Sequence, residues 1–530
     1  MEEMKRECWI KILHKKFSII ASIIVIAILV VFPLYFKDYY FDILVAKYQF
    51  YYITILVAFA IALIIAILMG IRAMKSAGNV NIKRVLNRMD LKKLPATHFF
   101  LFTFWGIAAI STVQSEYMYE AFWGNEGRFT GLFLLTLYAL SFLFVSRFFK
   151  LKKWYLDLFL LSAMLVCMFG ITDYFKLNLL HFKDNVWPDE WTIYTSTFGN
   201  INTYNAYVGL VIGACAALFI YESKSKRKVW YFVCYVITSY ALITGGSDNA
   251  YLALLALFGL MPLWVFKEWK GVKDYFILLA TFGTIIYIAG RVHIFMGDKV
   301  EWLEGIFKVL IDSKYLSTAV IASWAWVLFL NIIQRYSGDR IYKLGNIPRY
   351  IWSFLVAIIV AIAVFSLYDA NIAGNNERYG NLQRYVYFDD NWGTKRGMIW
   401  RIAIEDYTEK FTISQKLFGY GPDTFGIMTH KWNNDETLRK AGAIYDSAHN
   451  EYLQYFVTIG PFGLFAYLGL IIAVCMKILK NAIAKPYMMG IFFAIVCYSA
   501  QALVNINVPI ATPIMWMMLS IGLASYEEKS

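Results

Sequence analysis

The sequence predicts an all-α polytopic membrane protein with about 14 transmembrane helices (12–14), both termini in the cytoplasm and one large extracytoplasmic loop carrying short helices. Three observations carry this expectation. The chain of 530 residues is 59% hydrophobic and 18% aromatic with a mean hydropathy of +0.52, too apolar for water to be its main solvent. Apolar runs of about 17 to 22 residues recur from end to end, each long enough to cross a roughly 30 Å hydrocarbon core as a helix that satisfies its own backbone hydrogen bonds. The 50 Lys and Arg are unevenly shared: 31 lie in the amino-terminal tail, alternate connections and carboxy-terminal tail, 9 in the short connections opposite, and 10 in the long loop. This is the positive-inside asymmetry, and it sets the orientation.

The runs fall near 17–36, 48–70, 95–113, 129–146, 154–175, 203–221, 229–244, 249–266, 274–290, 315–334, 349–368, 453–476, 486–504 and 508–524. The first follows Lys5, Arg6, Lys11, Lys15 and Lys16 and is followed by PLYFKDYY (33–40), which offers no small-residue cleavage site, so it reads as a retained helix. No Lys or Arg is expected inside a span, and Asp157 and Asp173 fall near helix ends. A basic cytoplasmic face beside anionic lipid accounts for the net charge of +13 without a nucleic-acid partner. Of six cysteines, Cys8 is placed in the cytoplasm, and Cys167, Cys215, Cys234, Cys475 and Cys497 fall in spans at no metal-ligand spacing, as apolar packing residues. The expected division is a membrane domain over 1–368 (helices 1–11), an extracytoplasmic loop subdomain over 369–450, and a membrane domain over 451–530 (helices 12–14).

Composition changes abruptly in the 369–450 loop, which holds eleven acidic and ten basic residues. MIWRIAIEDYTEKF (398–411) spaces Ile399, Ile402 and Tyr407 against Arg401, Glu405 and Lys410, the pattern of a short amphipathic helix near the interface. GYGPDTFG (419–426) reads as a tight turn, since no Lys-Ser/Thr follows to make it a phosphate loop. Arg401 reads either as the i,i+4 partner of Glu405 or as an anion ligand, whereas Arg396 has only Trp400 four residues on and is the freer cation. Asp446 or Ser447 is placed to cap the next helix, with His449 in its first turn. There the helix dipole and any nearby arginine favour neutral imidazole, while Glu451 acts in the opposite sense. Gly460-Pro461 marks a close contact or a break in that helix. The loop's Tyr379, Tyr385, Tyr387, Trp392 and Trp432 suit either sugar faces or interfacial anchoring.

Taken in order, these residues resemble the signature of the O-antigen ligase and O-antigen polymerase superfamily of bacterial membrane glycosyltransferases. The similar elements are GRFTGLF (127–133), STFGNINTYNAYVGL (196–210), Arg396 four before Trp400, GYGPDTF (419–425), His449-Asn450-Glu451-Tyr452-Leu453 and Gly460 to Leu464. They cover about 300 residues. One departure stands out: TGGSDNA (244–250) places Asp248 where many members carry an arginine that holds donor pyrophosphate, a task left to Arg128 or Arg378.

The resemblance implies a GT-C-like fold and an enzyme of the bacterial cytoplasmic membrane acting on its outer side. It implies an undecaprenyl-pyrophosphate-linked glycan donor, a glycan or other hydroxyl acceptor, inversion at the anomeric carbon, and no cofactor or metal. His449 is expected as the base, Arg396 and Arg401 as the cationic clamp, and Arg128, Asn202, Arg378 and Asn450 as substrate-binding residues. No Asp-x-Asp pair occurs in the outer segments, and the adjacent Asp389-Asp390 read as a solvated turn. Polymerisation of surface-polysaccharide repeat units, with a chain-length regulator as a further partner, stands ahead of ligase-type transfer to a lipid, protein or wall acceptor. A lipid-linked oligosaccharide flippase is the rival from another class, but it leaves the 82-residue loop without a role.

Overall fold

The computed structural model describes residues 2–77, 95–303, 305–337, 345–442 and 445–526; the basic connections at 78–94 and 338–344 lie outside them. The described chain is a bundle of helices with four two-residue strands. In order, the first half holds α1 (Glu2–Ile26), α2 (Ile43–Ala77), α3 (Ala96–Gln114), α4 (Met118–Trp123), α5 (Leu132–Phe148), α6 (Lys153–Tyr174), α7 (Ile201–Tyr221) and α8 (Ser225–Thr244). There follow α9 (Ala250–Leu260), α10 (Pro262–Val265), α11 (Trp269–Met296), α12 (Gly305–Ile311), α13 (Leu316–Ser337) and α14 (Ile347–Asn371). The long loop contains α15 (Gln383–Val386), α16 (Trp392–Glu405), α17 (Ile413–Phe418) and α18 (Phe425–Ala441). The chain ends in α19 (Glu451–Thr458), α20 (Gly460–Ala482), α21 (Met488–Gln501) and α22 (Thr512–Leu523).

Each of the fourteen apolar runs holds a helix, and among the described residues nine helices are long and apolar enough to cross a membrane. The protein is thus an all-α polytopic membrane protein. Some helices overrun the predicted spans, as α2 does the one at 48–70, because a helix continues past the apolar run while its backbone stays bonded, whereas α21 and α22 are shorter than theirs. Lys47 therefore falls inside α2, contrary to the expectation of cation-free spans. It is fully buried, and its ammonium donates to the carbonyls of Phe32 (2.8 Å) and Pro33 (3.3 Å), which end the first helical run. A cation at the carbonyl end of a helical run is favourable, which explains its tolerance there.

The core is built around α7, whose apolar stretch is wholly buried. Small residues let its neighbour α21 approach closely: a Cβ at Gly213 would lie 2.4 Å from the Phe493 carbonyl, and one at Gly490 would lie 2.7 Å from Leu218. Such approach supplies the packing that hydrophobicity cannot provide between helices in lipid. By contrast, none of the apolar stretch of α14 is buried.

The polar loop has a small core of its own, Ile399, Ala403, Phe411, Tyr420, Phe425 and Met428, which also receives Ala448 and Val457. It is stitched to the bundle through the GYGP turn. Tyr420 and Gly421 donate backbone N–H groups to the carbonyls of Val457 and Thr458 (both 3.0 Å), and Ser115 Oγ donates to the Tyr420 carbonyl (2.8 Å). The first two bonds serve the carboxy-terminal carbonyls of α19, where Ser111 Oγ also donates to the Thr458 carbonyl (2.8 Å). The expected break after that helix is present, with Gly460 at φ +79°, where a Cβ would lie 2.3 Å from the Leu417 carbonyl.

Candidate functional site

The site forms where α16 meets the segment before α19. Gly393, Thr394 and Lys395 all have positive φ, so the regular turns of α16 begin at Arg396. Residues four apart share a helix face. Trp400 accordingly lies on the Arg396 face, where its indole N–H donates to the Ala448 carbonyl (2.9 Å), one residue before His449.

The backbone at His449 is held from several sides. Gln454 Oε1 accepts from the Ala448 N–H (2.9 Å), and Ser447 Oγ accepts from the His449 N–H (3.2 Å). His449 itself adopts φ +48°, a left-handed conformation costly for a residue with a Cβ. Asn450, rather than Asp446 or Ser447, caps α19: its side chain accepts from the N–H groups of Tyr452 and Leu453, both at 3.0 Å. His449 therefore precedes the helix instead of sitting in its first turn, a shift that follows from its left-handed backbone, which no helical turn accommodates. The side chain of Asn450 is engaged in this cap.

Burial first, and then the positive charges of Arg396 and Arg128, push the His449 imidazole down to about 4 from its ordinary 6.5, with Asp446 acting the other way. Neutral imidazole, able to accept a proton, is thus the form present at neutral pH. Glu451, expected to oppose this, instead turns into the core and accepts from Tyr467 (2.5 Å).

The structure brings Arg396 and Arg128 to His449 in different states. Arg128 donates to Asp446 through Nε (2.9 Å) and Nη2 (2.5 Å), a two-point ion pair linking sequence positions 318 residues apart. Arg396 is half-buried and makes no hydrogen bond or ion pair with a described residue; the field of Asp248 acts on it. Asp248 thus lies within electrostatic reach of the very cation whose companion the resemblance expected at its place. A Cβ on Gly305, which has φ +68°, would lie 1.9 Å from its carboxylate.

Arg401 departs from the expected clamp. Five positions along a helix correspond to a rotation of about 140°, so it cannot share the Arg396 face. Its guanidinium is occupied by Asp390 (2.8 and 3.1 Å), Glu405 (2.8 Å) and Glu436 (2.7 Å), and Lys440 adds further pairs to Asp390 and Glu436 at 2.9 Å each. Those bonds, Arg401 first, hold the Asp390 carboxyl down to about 2. The i,i+4 pair with Glu405 is present as one strand of this network.

Arg378 lies in the short 3-10 segment after α14, largely exposed and paired with Asp369 at the end of that helix (3.2 Å), without a bond to any described residue around His449. Asn202 begins α7 and joins an amide belt: its Oδ1 accepts from Ser247 Oγ (2.6 Å), and its carbonyl accepts from Asn249 (2.9 Å) and Asn505 (3.0 Å). This belt underlies the loop that carries Asp248. Among the described residues, no group of three or more His, Cys, Asp or Glu side chains is placed to hold a metal ion.

Three contributors went unread in the sequence: Trp400 as a backbone anchor, Asp446 as the partner of Arg128, and Asp423. The last is 4% exposed and pushed up to about 6 by burial, and it accepts from the N–H groups of Asn125 (2.7 Å) and Thr130 (2.9 Å). Its only sequence signal is an acidic residue in a turn, which ordinarily marks solvent exposure.

No curated protein matches the sequence. Residues 309–468 match the family model described as O-antigen ligase. The match spans α16, the GYGP turn, His449 and the Gly460 break, part of the positions that carry the motif resemblance; GRFTGLF (127–133) and STFGNINTYNAYVGL (196–210) lie outside it. Over these residues the chain is similar to the O-antigen ligase family, a likeness that suggests glycan transfer in polysaccharide biosynthesis by a multi-pass membrane protein.

Proposed function

We propose that the protein polymerises surface-polysaccharide repeat units by inverting glycan transfer from an undecaprenyl-pyrophosphate-linked oligosaccharide to a hydroxyl of a second glycan. In this reading fourteen spans in a GT-C-like arrangement keep both termini in the cytoplasm and the His449 site at the outer face of the cytoplasmic membrane. The observation that carries it is the imidazole of His449, held neutral by burial and by Arg396, whose guanidinium makes no hydrogen bond or ion pair with a described residue. A base and a cation so placed suit a single displacement. The acceptor oxygen forms a bond to the anomeric carbon as His449 takes its proton. The bond from that carbon to the pyrophosphate oxygen breaks, and the leaving pyrophosphate carries away the electron pair. Arg396 stabilises that charge, and His449 returns the proton to water. Since pyrophosphate is already largely ionised, arginine charge serves in place of a metal.

Arg128 is the second cation of this reading, released to the pyrophosphate when its pair with Asp446 opens. Arg401 contributes by holding α16 through its carboxylates, and Asn202 by shaping the belt beneath the site. The Trp400 bond to Ala448 aligns His449. Trp400→Phe keeps the ring's packing but removes that bond, a loss of about 1 kcal/mol, and so about fivefold in kcat/KM. Initial rates with the variant in membranes check this.

The deciding experiment supplies purified protein with polyprenyl-pyrophosphate glycan alone. A ladder of longer lipid-linked products is expected. No reaction until a separate acceptor is added would replace polymerase with ligase, and movement of intact donor across vesicles without a new linkage would replace both with a transporter.

A further inference from the structure

The 124–131 loop is folded more tightly than side chains allow at its ends. Gly124 has φ +92°, and a Cβ there would lie 2.6 Å from the Phe129 Cα; one on Gly131 would lie 2.4 Å from the Gly124 nitrogen. Within the loop, the N–H groups of Arg128 and Phe129 both donate to the Asn125 carbonyl, at 3.1 and 3.0 Å. Those of Asn125 and Thr130 converge instead on one oxygen, Oδ2 of Asp423. Asp423 comes from a turn almost 300 residues away, has φ +60°, and makes no ion pair with a described residue. Phe129 stacks on Tyr48 (4.7 Å, 10°), which fixes the loop's outer side against α2.

A carboxylate buried without a paired cation is costly, and here peptide N–H donors, the Thr130 side chain and the charge of Arg128 offset that cost. The effect is to give the loop one shape. Arg128 sits within the loop, its N–H bonded to the Asn125 carbonyl between the two residues that Asp423 holds, and its guanidinium forked by Asp446.

We propose that Asp423 is a positioning residue for Arg128: its carboxylate gathers the peptide N–H groups of Asn125 and Thr130, closes the 124–131 loop and so presents the Arg128 guanidinium to the His449 site. The inference rests on the reading of Arg128 as a donor-binding cation. It assigns a joint purpose to GRFTGLF and GYGPDTF, since one element supplies the cation and the other its support.

The test is a double-mutant cycle on the full chain in membranes, with kcat and KM for glycan transfer as readouts. Asp423→Ala is expected to lower kcat/KM by about tenfold to a hundredfold, the scale of a displaced binding group. Asp423→Asn, whose amide oxygen accepts the same two N–H groups, should recover most of that loss. In an Arg128→Ala background, Asp423→Ala should cost less than about twofold more, because residues acting through one contact are not additive. Equal losses in both backgrounds, or an Asp423→Asn variant as impaired as the alanine, would overturn the inference. Should the alanine variant fail to fold, the asparagine variant carries the test: near-native kcat/KM supports the inference, and a loss that persists equally without Arg128 overturns it. An Arg128→Ala protein with unchanged transfer would instead remove the reading of Arg128 on which the inference rests.

Discussion

Replacing His449 by alanine is expected to lower the rate of glycan transfer by about 10²- to 10⁴-fold, the contribution of a positioned general base. The protein should still reach the membrane, because the fold does not hang on the imidazole: the neighbouring bonds are made by the backbone of Ala448 and by Ser447, Asn450 and Gln454. Alanine takes the φ of +48° less readily than histidine, so membrane yield is the control for a folding cost. Turnover of a purified lipid-linked donor, measured alongside membrane yield, checks both halves. Full activity in the variant would dismiss His449 as the base.

Arg396→Gln should reduce turnover by about 10²- to 10³-fold, the scale of losing one preorganised charge at a developing anion. It carries a second, independent signature. The ordinary imidazole value of 6.5 is lowered to about 4 in the folded protein, so the base stays unprotonated as pH falls through 6.5. The acid limb of kcat/KM for the free enzyme is therefore expected well below 6.5. Arg396 is the larger of the two cationic causes after burial, so its removal must raise His449 and move the acid limb of the residual activity to higher pH. An unmoved limb would separate Arg396 from His449. The same shift bears on stability: unfolded histidine takes its proton near 6.5 and the folded one only near 4, so the folded state loses stability as pH falls between them.

Much of the architecture was legible because bilayer physics is written along the chain. Every apolar run became a helix, since a backbone in hydrocarbon has no other way to pair its groups. The Gly460 break and the GYGP turn were legible for a local reason: glycine at positive φ and proline restrict the backbone wherever they stand. The helix cap was misplaced by a few residues because Asp446, Ser447 and Asn450 are all capable caps, and the choice fell to the residue whose neighbour His449 turned left-handed.

Charge was the harder matter. Arg396 and Arg401 look alike in one dimension, and only the rotation of α16 and the arrival of Asp390 and Glu436 divide them into an available cation and a neutralised one. Likewise Asp248 read as a gap in a signature, but it lies within reach of Arg396.

The amino-acid sequence by itself determined the helical membrane class, the long polar loop and the presence of a histidine and arginines in the order of a glycan-transfer signature. Tertiary structure alone decided which of those charges meet. Span formation depends on local hydropathy and backbone pairing, both set within about twenty residues. The state of a side-chain charge depends on partners hundreds of residues away, as Arg128 depends on Asp446 and its loop on Asp423, and no local pattern records them.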